Sequence, residues 1–305
     1  MGLPTAALRF LVREHRRKPL GSAVLTLGRQ CVYATYQDLL DICRDEGVVP
    51  AELPADVPRH TSIPAWHGTP RERYTSDVAV FRTLGAAEVL ALDCSAFEGA
   101  ELVHDLNQPV PGHLASRFDL VFDSGTLEHV FDVRTALMNV GQMVKRGGRV
   151  IHLSPCNNFA NHGFYQFSPT LLIDYYEANG FAALQAYVAE FSPSERDSVP
   201  WQLFRLDLRR QPVVMRSRRR LLVVFVAEKA AGATVDRIPQ QTYYRQLLAA
   251  DPGAAGSLGA MSSRVQTLGW LKRLVPERLK AILRPWLGRD PHQKPWGATR
   301  RDTFR

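Results

Sequence analysis

Short apolar runs alternate with helical repeats through most of the chain. The apolar runs predict seven strands, at Ala23–Leu27, Glu88–Leu92, Glu101–His104, Phe118–Phe122, Arg149–Leu153, Ala183–Glu190 and Leu221–Lys229. Apolar residues three and four positions apart, together with capping residues, predict helices at Tyr33–Glu46, Ser76–Gly85, Val133–Val144 and Ser168–Gly180. Because strands that alternate with helices pair in parallel and are covered on both faces, the pattern predicts an α/β fold with a doubly wound, mostly parallel sheet.

Two segments interrupt this alternation. Residues 48–75 are rich in proline, which excludes a helix or an inner strand, so we expect an insertion there. After Lys229 the composition changes again. A Gly-, Ala- and Ser-rich linker is predicted at 249–263, followed by short amphipathic helices at 264–275 and 277–284 and a disordered polar tail. We therefore predict a main domain of residues 1–230, containing the insertion, and a basic helical extension of residues 231–305.

The net charge of +8 is unevenly distributed. Residues 201–305 contain 21 Lys and Arg against 7 Asp and Glu, whereas residues 1–200 are net acidic. A solvated basic face, a peripheral contact with a membrane surface through the tryptophan-containing helices, and nucleic-acid binding would each fit this charge. Nucleic acid is the least favoured, since no zinc knuckle, KH or RNP signature accompanies the Arg218–Arg220 cluster.

The cysteines and the hydropathy indicate the compartment. The four cysteines are far apart and form no CxxC pair, which predicts reduced thiols and no metal site. No apolar run approaches the roughly 20 residues needed to cross a bilayer, and the N-terminus lacks a signal-peptide pattern. A cytoplasmic protein is therefore expected, with a peripheral position at the inner membrane face as an alternative.

Acidic residues follow three consecutive predicted strands, namely Asp93, Asp105 and Asp123. In an open α/β sheet, ligands bind beyond the carboxyl ends of the strands. A carboxylate there can accept hydrogen bonds from both hydroxyls of a ribose. The alternative is that each acid only caps the turn or helix that follows.

Four stretches of the sequence resemble the class I S-adenosylmethionine-dependent methyltransferases. They are Leu92 to Pro111, Phe118 to Asp132 (FDLVFDSGTLEHVFD), Lys145 to Pro155 (KRGGRVIHLSP) and Asn161 to Pro169 (NHGFYQFSP). More narrowly, they resemble a bacterial subgroup often associated with polysaccharide biosynthesis. The resemblance covers roughly the middle third of the chain and implies a Rossmann-like methyltransferase fold that binds S-adenosylmethionine.

The resemblance also implies roles for individual residues. Asp93 would hold the ribose hydroxyls with Cys94 beside it, and Asp105 and Leu106 would flank the adenine. The methionine end of the cofactor would lie against Asp123, Ser124 and Gly125. The turn after the first strand of the fold would contribute Gly28 and Arg29.

The first turn departs from the family pattern. The chain has Leu27-Gly28-Arg29-Gln30 in place of a glycine-rich loop, and Asp93 follows Gly28 by 65 positions instead of about 20. A dinucleotide needs close backbone contact with its pyrophosphate, so the missing loop argues against an NAD-type oxidoreductase. S-adenosylmethionine has no phosphate and tolerates the loss better. A non-catalytic cofactor-binding or scaffold protein remains an alternative.

Methyl transfer to a hydroxyl requires a group that removes the proton. His129 is the first candidate, because an unperturbed imidazole titrates near neutral pH. The second candidates are His162 and Tyr165, in a loop expected over the same crevice. Alternatively, His129 only orders the cofactor turn and His162 only packs over the cofactor. The resemblance implies a small hydroxylated acceptor, such as a sugar or glycan intermediate.

Overall fold

The computed structural model describes residues 2–61, 74–191, 201–206, 215, 217–250 and 298–304. Its helices are α1 (Thr5–Arg17), α2 (Tyr36–Asp45), α3 (Asp77–Thr83), α4 (Val133–Met143), α5 (Pro169–Ala178) and α6 (Thr242–Ala250). Its strands are β1 (Leu3–Pro4), β2 (Ala23–Leu27), β3 (Val32–Tyr33), β4 (Glu88–Asp93), β5 (Leu102–Val103), β6 (Phe118–Ser124), β7 (Val144–Asn157), β8 (Ala182–Phe191), β9 (Trp201–Leu206), β10 (Arg220–Glu228) and β11 (Ala298–Phe304).

Nine of these strands form one sheet in the order β11-β9-β8-β10-β7-β6-β2-β4-β5, and β1 pairs separately with β3. Strands β5, β4, β2, β6 and β7 pair in parallel. Strand β10 is antiparallel to both β7 and β8, so β8 runs in the direction of the parallel set. Strand β9 opposes β8, and β11 opposes β9. Within the described sheet, seven strands share one direction, which confirms the doubly wound, mostly parallel α/β fold.

The strand order reverses between β2 and β6. The chain passes from β2 outward to β4 and β5, and it then returns to the other side of β2 as β6 and β7. Such a switch point opens a crevice beyond the carboxyl ends of the strands, because the connections leave in opposite directions. Gly28 follows β2 and Ser124 ends β6, so both lie at this crevice.

Side-chain alternation along the central strands supplies a core on each face of the sheet. Val24 and Leu120 pack with α1, α2 and α3 on one face. Their neighbours Leu25 and Val121 pack with α4 and α5 on the other face. Since successive side chains of a strand point to opposite faces, continuously apolar strands are buried on both sides.

Most predicted elements correspond to observed ones. The exceptions include Tyr33, at which a predicted helix begins but strand β3 ends, and strand β11, which lies in the tail predicted to be disordered. Strand β2 has the predicted bounds, and Ser76 caps α3 by accepting a hydrogen bond from Ala79 N at 2.9 Å. Ser168 and a proline at the first helical position begin α5, as predicted. Strand β7 is longer than predicted because it pairs with β10 as far as Asn157. Helix α1 lies outside the predicted elements, although its buried residues Leu8, Leu11 and Val12 form an apolar face.

The chain after β10 packs on α5. Tyr175 donates from its hydroxyl to Val235 O at 2.6 Å, and Thr242 N donates to Asp174 at 3.0 Å, at the start of α6. The predicted linker, apart from its first two residues, and both predicted amphipathic helices lie outside the described residues. Among the described helices, none combines the length and the apolar character needed to span a bilayer.

Candidate cofactor site and active site

A cavity of about 640 Å³ occupies the crevice at the strand-order reversal. Its size falls within the range typical of small-molecule sites. Ten of the residues predicted for the site line it: Gly28, Arg29, Asp93, Cys94, Asp105, Leu106, Ser124, Gly125, His129 and His162. The structure therefore brings together side chains that are up to 134 positions apart in the sequence (28 to 162). Of the predicted residues, Asp123 and Tyr165 are not part of the lining.

Gly28 lines the cavity with backbone that carries no side chain. It has a positive φ of 69°, and an added Cβ would lie 3.3 Å from Thr126 Oγ1 and 3.4 Å from Asp93 Oδ2. Gly28 N donates to Leu92 O at 2.8 Å, and Thr126 Oγ1 donates to Leu27 O at 2.7 Å. The turn therefore joins β2 to β4 and β6 with bare backbone facing the cavity.

The first turn is held from outside by α3. Asp77 accepts from Gln30 N at 2.9 Å and pairs with Arg29 Nη1 at 3.4 Å. Arg29 also pairs with Glu101, so its guanidinium is occupied although the residue lines the cavity. Burial raises the pKa of the Asp77 carboxyl, while Arg29 and the Gln30 amide act in the opposite direction. Helix α3, which lies between Gly28 and Asp93 in the sequence, thus supports the first turn. In a glycine-rich loop, neighbouring residues of the loop itself would give this support.

Two acids lie at the carboxyl ends of β4 and β5, on one side of β2. Asp93 accepts from Ser95 N at 3.3 Å, and Cys94 donates its thiol proton to Asp93, which raises the pKa of that thiol. Asp105 Oδ1 accepts from Asn107 N and Nδ2 at 2.9 and 2.7 Å, which lowers the pKa of Asp105. Both carboxylates therefore lie on the cavity wall and are available as acceptors.

Leu106 supplies an apolar surface next to Asp105. Its side chain is buried, and its carbonyl accepts from Asn139 Nδ2 at 3.1 Å. Asn139 also donates to Gln108 O and accepts from Val110 N, so this α4 side chain fixes the whole turn after β5. Nothing in the local sequence around Asn139 indicates this role.

Asp123 lies beneath the cavity, not on its wall. It is fully buried, and its Oδ2 accepts from His152 Nδ1 at 3.0 Å and from Ser154 Oγ at 3.3 Å. His152 Nε2 lies 2.7 Å from the Tyr176 hydroxyl, whose pKa burial raises well above its usual value. The tautomer that satisfies all these groups has Tyr176 donating to Nε2 and Nδ1–H donating to Asp123.

Asp123 also organises the turn that carries the candidate base. Its Oδ1 accepts from Thr126 N at 3.1 Å and from Leu127 N at 3.4 Å, at the start of a short 3₁₀ turn from Leu127 to His129. Ser124, Gly125 and Thr126 line the cavity, whereas Asp123 does not, so the predicted direct contact of Asp123 with the methionine end of a cofactor has no support from the cavity lining. The role of the cofactor turn itself stays a prediction.

The 3₁₀ turn presents Glu128 inward and His129 to the cavity. Glu128 is fully buried, and neither of its carboxylate oxygens has a hydrogen-bond partner among the described residues. His129 Nε2 and His162 Nε2 lie 3.8 and 3.5 Å from Glu128 Oε1. Burial lowers the pKa of His129, and the Glu128 carboxylate opposes that effect. The resemblance places Glu128 with His129 on the helix side of the turn after β6, but it implies no binding or catalytic role for Glu128.

A glycine brings the loop after β7 against this turn. An added Cβ on Gly163 would lie 2.8 Å from Glu128 O and 3.2 Å from His129 Nδ1. Glu128 O also accepts from Phe164 N at 2.8 Å and from Tyr165 N at 3.2 Å. The Tyr165 hydroxyl donates to Phe131 O at 2.7 Å, which directs it away from the cavity. His162 is thereby placed opposite His129, whereas Tyr165 anchors the loop.

Replacing Gly163 with alanine is expected to lower the free energy of unfolding by about 1–3 kcal/mol, because the loop must move off the Glu128 carbonyl. Urea unfolding measures this change. Gly112→Ala is the matched control, since its added Cβ would meet no atom within 4 Å. We expect the control to change stability by no more than about 0.5 kcal/mol. Equal effects of the two substitutions would show that the close approach at Gly163 is unimportant.

Two further polar atoms beside the cavity lack partners. Gln30 Oε1 and Ser124 Oγ are buried, and neither has a hydrogen-bond partner in the described part of the chain. Both residues line the cavity, and Gln30 is held by its own amide nitrogen, which donates to Leu27 O and Gly28 O. Buried polar atoms are normally satisfied, so these two are available for a polar ligand.

The sequence matches no protein-family model and no curated protein. Solved structures that resemble it include the citrinin polyketide synthase CMeT domain, at 9% identity over 74% of this chain and 52% of that one, with a TM-score of 0.38. The YcgJ protein from Bacillus subtilis matches at 13% identity over 74% of this chain and 99% of that one, with a TM-score of 0.37. A SAM-dependent methyltransferase from Archaeoglobus fulgidus matches at 14% identity over 72% and 94%, with a TM-score of 0.36.

This chain thus spans about half of the citrinin polyketide synthase domain. The identities and TM-scores are low, so the function proposed below rests on the cavity and on the sequence motifs.

Proposed function

We propose that the chain is a methyltransferase that uses S-adenosylmethionine and acts on a small hydroxylated acceptor, such as a sugar or glycan intermediate. The observation that carries this proposal is the convergence of the predicted residues on one cavity at the strand-order reversal. The acceptor class rests on the sequence resemblance alone. Cytoplasmic localisation, with a peripheral membrane contact through the basic extension, stays a prediction.

The chemistry of the cavity fits the proposed cofactor. Asp93 would accept from the ribose hydroxyls, and Leu106 would cover the adenine with Asp105 beside it. The unpartnered Gln30 Oε1 and Ser124 Oγ would accept from the ammonium group of the methionine end. The bare backbone at Gly28 permits the close approach that this end requires. No glycine-rich phosphate loop is needed, because the cofactor has no phosphate.

The cofactor, when bound, supplies a methyl group activated by its sulfonium. The protein must hold the acceptor hydroxyl in line with that group and keep water away. The imidazoles of His129 and His162 face the cavity, and one of them would take the hydroxyl proton at its Nε2. The depressed pKa of His129 favours the neutral imidazole that such a role needs.

The alternatives have less support. An NAD-type oxidoreductase would need phosphate contacts at the first turn, whereas the Arg29 guanidinium there is already paired with Asp77 and Glu101. A non-catalytic scaffold would not require the exposed imidazoles opposite a buried carboxylate.

Calorimetry tests the proposal directly. S-adenosylhomocysteine is expected to bind the folded chain with one-to-one stoichiometry, while NAD⁺ gives no heat at the same concentration. Binding of NAD⁺ alone, or of neither compound, would refute the proposal.

A further inference from the structure

Glu128, His129 and His162 form a cluster whose ligand-type atoms lie within 4.8 Å of one another. We propose that this cluster binds a divalent transition-metal cation. Two imidazole nitrogens and one carboxylate oxygen are the donor set that zinc, manganese and ferrous iron share in open, three-ligand sites. The hard cations Mg²⁺ and Ca²⁺ prefer oxygen donors alone, and we expect them to bind weakly here.

The buried carboxylate is the observation that favours a cation. Glu128 is fully buried, and both of its oxygens lack a hydrogen-bond partner among the described residues. A buried carboxylate that accepts no hydrogen bond is costly, and buried charges are normally paired or bound to a metal. Near Glu128 Oε1 lie the two imidazole nitrogens of His129 and His162. A bound cation would satisfy this carboxylate without any rearrangement of the backbone.

The distances are close to those of a ligand set. Metal–nitrogen and metal–oxygen bonds of about 2.1 Å place ligand atoms on one cation about 3–3.5 Å apart. His162 Nε2 and His129 Nε2 lie 3.5 and 3.8 Å from Glu128 Oε1. Both imidazole side chains are partly exposed, at 36% and 47%. Because the ligand atoms of the cluster spread over up to 4.8 Å, the rings must rotate toward one point to bind a single cation.

The backbone fixes the cluster in place. Asp123 holds the turn that carries Glu128 and His129, and the amides of Phe164 and Tyr165 hold the loop that carries His162. Gly163 permits the contact between the two segments. Two loops that are more than 30 positions apart in the sequence thus bring three potential metal ligands within 4.8 Å of one another.

Three protein ligands leave coordination positions open toward the cavity. The use of these positions by an acceptor oxygen rests on the proposed function, whereas metal binding itself does not. The role of an imidazole as the base, proposed above, belongs to the metal-free protein, because both imidazoles are ligands when a cation is bound. The cation would then lower the pKa of a hydroxyl bound to it, so that the proton leaves to solvent.

Metal binding is measured on untagged protein that has been treated with EDTA and dialysed. Titration with Zn²⁺ in a calorimeter is expected to give one site, and Mg²⁺ is expected to give no heat. Co²⁺ should produce visible absorption bands without thiolate charge transfer, which distinguishes this cluster from the four free cysteines. An absence of Zn²⁺ binding, or cobalt spectra showing thiolate ligation only, would overturn the proposal.

The variants Glu128→Gln and His162→Asn should each raise the Zn²⁺ dissociation constant by roughly a hundredfold or more, because even outer-shell partners of a metal contribute about 10–100-fold. The exposed His113, outside the cluster, gives the control His113→Asn, which should bind as the unmodified protein does. Unchanged affinity in Glu128→Gln would contradict the assignment.

A second readout separates ligation from structural damage. Without metal, Glu128→Gln should unfold at the same or a higher temperature, because glutamine keeps the size of the side chain and removes a buried carboxylate that accepts no hydrogen bond. Excess Zn²⁺ should then raise the unfolding temperature of the unmodified protein but not of the variant. Titration of the metal-free protein with S-adenosylhomocysteine tests the proposed function separately, so either conclusion can fail while the other stands.

Discussion

Replacing Asp123 with alanine is expected to lower the free energy of unfolding by about 3–5 kcal/mol, because four donors lose their acceptor and each buried donor left unsatisfied costs about 1–3 kcal/mol. The carboxylate accepts from His152, Ser154 and two backbone amides, and Asp123 is fully buried. His152 would lose the acceptor that fixes its tautomer. Denaturant unfolding, monitored by fluorescence, measures the change.

Two substitutions calibrate this result. Tyr176→Phe removes only the hydroxyl that donates to His152 and should cost about 1 kcal/mol. Asp41→Ala removes an exposed carboxylate that pairs with Arg44 and should cost less than about 1 kcal/mol. If Asp123→Ala were no more disruptive than Asp41→Ala, the buried network would not be a source of stability.

Replacing Asp93 with alanine is expected to weaken binding of S-adenosylhomocysteine by about a hundredfold or more. A hydrogen bond to a charged group contributes about 1.5–3 kcal/mol, and the carboxylate would accept from two ribose hydroxyls. Asp93 lines the cavity next to Gly28 and is only partly buried, so the fold should tolerate the change. Calorimetric titration measures the dissociation constant.

The contact can be assigned to the ribose with a truncated ligand. 5′-Methylthioadenosine retains the ribose and adenine but lacks the amino-acid end, so Asp93→Ala should weaken its binding by a similar factor. Asp41→Ala should leave both ligands unaffected, because that residue lies in α2 outside the cavity lining. If Asp93→Ala weakened the binding of S-adenosylhomocysteine but not of 5′-methylthioadenosine, Asp93 would contact the amino-acid end of the ligand and not the ribose.

The elements that carry their own local signals could be predicted from the sequence. Ser76 and Ser168 each cap a helix, and the apolar run of β2 has matching bounds in the structure. Acids at strand ends reach the crevice because parallel strands share one carboxyl edge. The mostly parallel arrangement follows from the alternation of strands and helices.

Contacts between distant segments could not be predicted. The sequence places Asp123 at a strand end. The sheet register sets it opposite His152, and its carboxylate is hydrogen-bonded there instead of facing the cavity. The support from Asp77, the fixing of a turn by Asn139 and the close approach at Gly163 each depend on packing between remote segments. The unpartnered state of Glu128 is likewise invisible in the sequence, since only burial makes it unusual.

The contacts of Asp77, in α3, with Arg29 and Gln30 of the first turn affect the order in which the site assembles. A glycine-rich loop takes its shape from neighbouring residues, whereas the turn at Gln30 depends on Asp77, 47 positions further on. During synthesis the turn cannot reach its final conformation until α3 has left the ribosome and docked. The loop between Gln30 and Asp77 is shorter than the 65 positions that separate Leu27 of β2 from its partner Leu92 of β4. Its closure therefore costs less entropy, and we expect this contact to form before the sheet is complete around the candidate site.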